Sequence, residues 1–164
     1  MFEDFSVVIR LVAAAAAGGA LGLPRNISDK PIGMRTLGLV SLGAAMVSVA
    51  ALRYLPPGTD ANATARVLQG LLQGLMVGVG FIGAGVIMRD TSTNKVHGLT
   101  TATTVWIAAA LGIACGIADW LVAVTGLILS LVILIALKRV ENRVTHEPEQ
   151  QLTRWNIARR CTPG

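Results

Sequence analysis

The chain has 164 residues, enough for one domain, and 53% of them are hydrophobic, only 14% are charged, and the formal net charge is +5 at pH 7. A mean hydropathy of +0.64 excludes an ordinary soluble domain, and apolar runs that do not alternate exclude a barrel. What remains is an all-α polytopic membrane protein, with 18 glycines suited to close helix packing in lipid and no nucleic-acid partner expected.

Five runs approach the roughly 20 residues that a hydrocarbon core of about 30 Å requires. The first extends from Phe5 to Leu23 and carries Arg10. The acidic start, MFED, argues against a secretory signal, so this span is expected to stay in the mature protein. Charge deep in a bilayer is costly and calls for a partner. Arg10 is nevertheless close enough to its helix start to snorkel to the interface, and Asp119 on the same side is the alternative partner. The second span starts near Gly33 and ends near Leu55, with Arg53 as its exit.

The third span, Val67 to Met88, has no charge. Arg66, Gln69 and Gln73 fall three and four apart and so share one stripe. The stripe serves either interhelical hydrogen bonds or a wet crevice. Gly70, Gly74 and Gly78 recur every fourth residue, as do Ala14, Gly18 and Gly22, and Ala108, Gly112 and Gly116. Such ladders suit packing within the monomer, or against a second copy or a partner's transmembrane helix.

The fourth span, Leu99 to Ala118, is followed after Asp119-Trp120 by a fifth, Leu121 to Leu137. A hairpin is expected there in preference to one tilted span with a re-entrant piece. The organisation is therefore a five-helix domain over residues 1–138 and a short basic tail over 139–164. In the tail, Leu152 and Trp155 among arginines suit a membrane surface, with disorder as the alternative. Cys115 and Cys161 fall on opposite sides of the membrane, so no disulfide joins them, and no cysteine pair resembles a metal site.

Orientation follows from the cations. Arg25, Lys30 and Arg35, then Arg89 and Lys95, then Lys138, Arg139, Arg143, Arg154, Arg159 and Arg160 share one side, which is 11 of the 14 basic residues. The positive-inside rule then places the N-terminus outside and the C-terminus in the cytoplasm. On that inner side the third span ends with Gly83 and Gly85, and the fourth opens with Gly98, Thr100 and Thr101. Threonine hydroxyls there are expected to cap free N–H groups or to meet backbone exposed by the facing glycines. The starts of the second and fourth helices, beside Arg25, Arg35, Arg89, Lys95 and His97, attract anions. A lipid phosphate and the carboxylate of a partner protein are the two ligands that fit.

The stretches "GLPRN", "GMRTL", "GVGFIGAGVI" and "VHGLTTATTVW", preceded by "RLVAAAAAGGALG", resemble the N-terminal membrane domain of the MgtC/SapB family over about residues 9 to 125. The resemblance implies a multi-pass protein of the bacterial inner membrane associated with survival in low magnesium and, in some pathogens, with life inside host cells. For some members it implies an action on the F-type ATP synthase. It carries over Arg10, Gly22, Arg25, Gly33, Arg35 and Thr36, then Gly78, Gly80, Phe81, Gly83 and Gly85, and finally Gly98, Leu99, Thr100, Thr101 and Trp106. Together with Arg66, most of these form the expected functional or packing cluster.

Four departures accompany the resemblance. Pro24 stands where the family usually has Glu, which removes a carboxylate that would hold Arg25 or Arg35 in a salt bridge. Leu37 replaces a usual histidine. The interval from Arg66 to Gly78 is about four residues longer than usual, one helical turn. The long C-terminal soluble domain of some members has no counterpart in the short tail.

Three functional classes follow. A regulatory or accessory protein acting through helix contacts with a second copy or another inner-membrane complex fits the small-residue ladders and the family. A transporter or channel for an ion or small solute is the alternative. Magnesium prefers carboxylate oxygen ligands, and all nine acidic residues lie at span edges, in loops or in the tail. An enzyme is not expected: no metal-ligand cluster and no nucleophile with a base is visible. The spaced glycines of GVGFIGAG lie inside an apolar span, without the strand-turn-helix setting of a dinucleotide site. No cofactor is expected.

Overall fold

A computed structural model describes residues 2–26, 32–56, 58–90, 95–136 and 139. Their order is α1 (Phe2–Asn26), α2 (Met34–Arg53), α3 (Ala61–Ala84), β1 (Met88–Asp90), β2 (Lys95–His97), α4 (Leu99–Gly116) and α5 (Trp120–Ala136). The first four helices are long and apolar enough to cross a membrane, while α5 is shorter. Helices are the natural solution for such sequence, because lipid offers no partner to an unpaired backbone group.

Helix boundaries move where local chemistry overrides the apolar pattern. Helix α1 runs past Leu23 to Asn26 with Pro24 inside its last turn. Proline there removes one backbone bond only a residue or two before the end, and the extension carries Arg25 onto the helix. Helix α3 starts at Ala61, not Val67, because the Asp60 carboxylate accepts from Ala63 N at 2.6 Å and caps the first turn. It ends at Ala84, not Met88. Gly85 N donates to Phe81 O and Val86 N to Gly83 O, which closes the helix. The residues beyond then form an antiparallel hairpin, with Met88 opposite His97 and Asp90 opposite Lys95. The anticipated loop is thus partly a two-stranded ribbon.

Between α4 and α5 the chain reverses through Ala118, whose φ of 63° is left-handed. Asp119 Oδ1 accepts from Val122 N at 3.2 Å and caps α5. Two helices, not one tilted span, occupy this stretch.

Residues 1–130 form one compact unit. Within it α1, α2 and α4 each pack against the other two, while α3 contacts mainly α4 and to a lesser degree α2. The core is built of small residues: Ala14, Leu37, Ser41, Ala45, Ser48, Val105, Ala108 and Ala109 are all fully or almost fully buried. Close approach explains the glycines. A Cβ at Gly112 would fall 2.8 Å from the carbonyl carbon of Ser41, so α4 rests directly on the α2 backbone. Gly18 meets Ser41 from the α1 side, where a Cβ would come within 2.6 Å of the serine Cβ. Residues 131–164 form a second unit, whose described part is the end of α5, residues 131–136, together with residue 139.

Candidate functional site

The ends of α1 and the starts of α2 and α4 meet around Arg25. This residue lies in the last turn of α1, where the partial negative charge of the helix terminus favours a cation. It is only 4% exposed. Its Nε donates to Ile32 O at 3.2 Å, and its Nη1 donates to Thr104 Oγ1 at 3.0 Å and to Thr100 O at 3.4 Å. Its Nη2 donates to Thr101 Oγ1. Thr101 and Thr104 are three residues apart on one face of α4 and both are buried. Among the described residues no carboxylate takes part.

Arginine suits this role because its planar guanidinium is weakly hydrated, keeps its charge and spreads five donors in a fixed fork. The acceptors are hydroxyls and carbonyls, so the charge is solvated by dipoles and not neutralised. Helix α4 supplies three of the four acceptor oxygens and Ile32 the fourth. Thr104 Oγ1 in turn donates to Thr100 O at 2.5 Å, which fixes its lone pairs toward the guanidinium.

The threonines therefore answer Arg25 on α1 and not the glycines of α3. Of those glycines, Gly83 lies against Ala102, where a Cβ would make ordinary contact at 3.6 Å, and Gly85 ends α3. Gly98 precedes α4 with φ 91°, and a Cβ there would lie 3.0 Å from the carbonyl carbon of Val86. That glycine lets the ribbon turn sharply into α4 and brings Thr101 and Thr104 to face α1. Thr104 was not among the sequence candidates. The signal for it was the three-residue spacing from Thr101, combined with a nearby arginine that lacked its acid.

Other candidates lie elsewhere. Arg10 Nη1 donates to Gly116 O at 3.2 Å. The half-buried Arg10 thus satisfies a carbonyl at the C-terminus of α4, a position that favours cations, and no bond joins it to Asp119. Arg53 pairs with Asp4 at 2.7 Å on an exposed surface at the same end. Arg35 and Thr36 are exposed in the first turn of α2, and Arg66 is exposed on α3. Trp106 is exposed on α4. His97 is also exposed. The side chains of Arg89 and Lys95, Lys30 and the tail with Leu152, Trp155 and Cys161 lie outside the described residues.

The three small-residue ladders part company. Those of α1 and α4 are consumed inside the monomer. On α3 a Cβ at Gly70, Gly74, Gly78 or Gly80 would meet nothing within 4 Å. Gln69 and Gln73 are exposed beside them, and Phe81 is 83% exposed. Only Val79 and Gly83 of this helix are buried. Among the described residues no group of three His, Cys, Asp or Glu side chains is placed to hold a metal ion.

Comparison with known proteins returns a family model, the MgtC family, matching residues 11–143. The protein SrpB of Synechococcus elongatus is 36% identical over 138 residues, covering 80% of this chain and 75% of that protein. The protein MgtC of Salmonella typhimurium is 31% identical over 144 residues, covering 88% of this chain and 58% of its own length. An uncharacterized protein of Haemophilus influenzae is 26% identical over 156 residues, 94% of this chain and 65% of that protein. No solved structure matches.

Proposed function

As the chain belongs to the MgtC family, we propose that it is a regulatory or accessory protein of the bacterial inner membrane, serving adaptation to low magnesium or ion stress through helix contacts with another membrane complex. The observation that carries this reading is the uncovered face of α3. A membrane-spanning helix with open glycines at every fourth position, flanked by two carboxamides, is built for a neighbouring helix. Glycines allow the backbones to approach, and amides in lipid gain hydrogen bonds only from such a neighbour. The ATP synthase is one complex that the family resemblance offers as the partner. In this reading the Arg25 cluster and the ribbon with Arg89 and Lys95 face the cytoplasm, with both the ribbon and the C-terminus at the inner leaflet.

The test is native co-purification from cells grown in low magnesium. The parent chain retains a specific complex, and Gly74→Leu, placed where a side chain meets only open space, releases it without loss of membrane insertion. Retention of the complex by Gly74→Leu would remove the α3 face from the proposal. Saturable magnesium uptake by liposomes holding the purified chain alone would replace the regulatory reading with transport.

A further inference from the structure

A second uncovered feature is chemically unlike the α3 face. Helices α1 and α2 leave between them a groove of about 700 Å³. Its walls are small or apolar, with Ala16, Gly19, Gly38 and Leu42 among them, and Arg35 stands at the end where α2 begins. From Met34 to Leu42 the groove follows α2 through eight rises between residues, about 12 Å at roughly 1.5 Å per rise. One leaflet of a hydrocarbon core about 30 Å thick is slightly deeper, at about 15 Å.

Among the described side chains, the electrostatics at the Arg35 end are one-sided. Arg35 is exposed and makes no ion pair or hydrogen bond with the other described residues. No acidic residue occupies the first turn of α2, and Gly33 offers no side-chain cap to its free N–H groups. The partial positive charge of the helix start is therefore added to that of the guanidinium. The acidic side chains that the structure describes, Asp4, Asp60 and Asp119, lie at the opposite ends of the helices, beside Arg53, the start of α3 and the end of α4.

We propose that this groove is a binding site for an anionic phospholipid, with one acyl chain lying along Ala16, Gly19 and Gly38 and the phosphate held by Arg35 and the first turn of α2. Among the described acidic side chains, none lies at this end of a helix, so a described transmembrane helix of a second copy would bring no carboxylate to Arg35, and a zwitterionic lipid would bring its own cation. The site is separate from the α3 face, so the two proposals fail separately.

Native mass spectrometry of the full chain, titrated with phosphatidylglycerol and phosphatidylethanolamine of identical acyl chains, reads both halves of the site. One cation near the membrane surface is worth about a fivefold preference for the anionic lipid. Arg35→Gln brings that preference close to one, and Arg35→Lys retains it. Ala16→Leu, which enlarges an exposed wall of the groove, weakens both lipids and leaves the headgroup preference intact. A preference unmoved by Arg35→Gln overturns the headgroup assignment, and undiminished binding in Ala16→Leu overturns the acyl-chain assignment. Efficient cross-linking of Ala16→Cys between two copies would show that a second chain fills the groove and would overturn the proposal as a whole.

Discussion

Replacement of Thr101 by valine removes one oxygen from the shell around Arg25 at nearly constant shape. Neutral interhelical hydrogen bonds in membrane proteins contribute on average about 0.6 kcal/mol, and charge assistance roughly doubles such a bond. Measured values for bonds to charged groups extend to about 3 kcal/mol. The guanidinium is buried and no described carboxylate pairs with it, so Thr101→Val is expected to destabilise the chain by about 1 to 3 kcal/mol. Thr104→Val loses the 3.0 Å bond from Arg25 and is expected to fall in the same range, because the Thr100 carbonyl keeps other donors. In an Arg25→Met background each valine instead removes an oxygen that has lost its cationic donor, and the cost attributable to the cation should vanish. The assay is equilibrium unfolding of the full chain in mixed detergent micelles, followed by far-UV circular dichroism, over the complete cycle of single and combined variants. Equal cost of Thr101→Val with and without Arg25 would show that the hydroxyls do not solvate the cation.

Three further outcomes follow from the packing and the exposed first turn of α2. Gly112→Ala presses a methyl into the Ser41 backbone and should cost about 1 to 3 kcal/mol, whereas Gly74→Ala should be neutral or stabilising by up to about 1 kcal/mol through helix propensity; equal melting temperatures for the pair would contradict the assignment of the ladders. Gly98→Ala forces a left-handed φ on a Cβ residue and should cost at least about 1 to 2 kcal/mol in the same unfolding assay. Arg35→Ala touches no described hydrogen bond and should leave insertion and unfolding unchanged, yet abolish complementation of growth in low magnesium. Loss of folding in this variant would mark Arg35 as structural.

The spans were legible because lipid imposes one demand on every residue of a helix, and runs such as residues 5–23 and 99–118 state it without ambiguity. Their ends were not, because capping acts through single side chains: Asp60 lengthened α3 by a turn and a half at its start, and Gly85 closed it early. Periodicity placed Gly70, Gly74 and Gly78 on one face but could not say what that face meets, since the same spacing serves inside the monomer at Gly112 and outside it at Gly74. The sequence singles out Thr101, but it offers as partners only the free N–H groups of its own helix start or backbone beside the glycines of the facing third span. The true partner lies 76 residues away, and a contact of that sequence separation leaves no local pattern. Arg10 was likewise found with two candidate partners, and the carbonyl that binds it has no side-chain signature at all.

The separation between Arg25 and its acceptors also constrains how the protein is made. Thr104 is added 79 residues after Arg25, a gap of about 4 to 16 s at roughly 5 to 20 residues per second. Throughout that interval Arg25 lacks its α4 acceptors and is expected to stay at the headgroups. Stalled chains cut before residue 99 should therefore leave position 25 open to a water-soluble reagent, and chains extended beyond α4 should shield it. Biogenesis thus completes the N-terminal pair only when a distant stretch arrives, which makes premature closure of the bundle self-limiting.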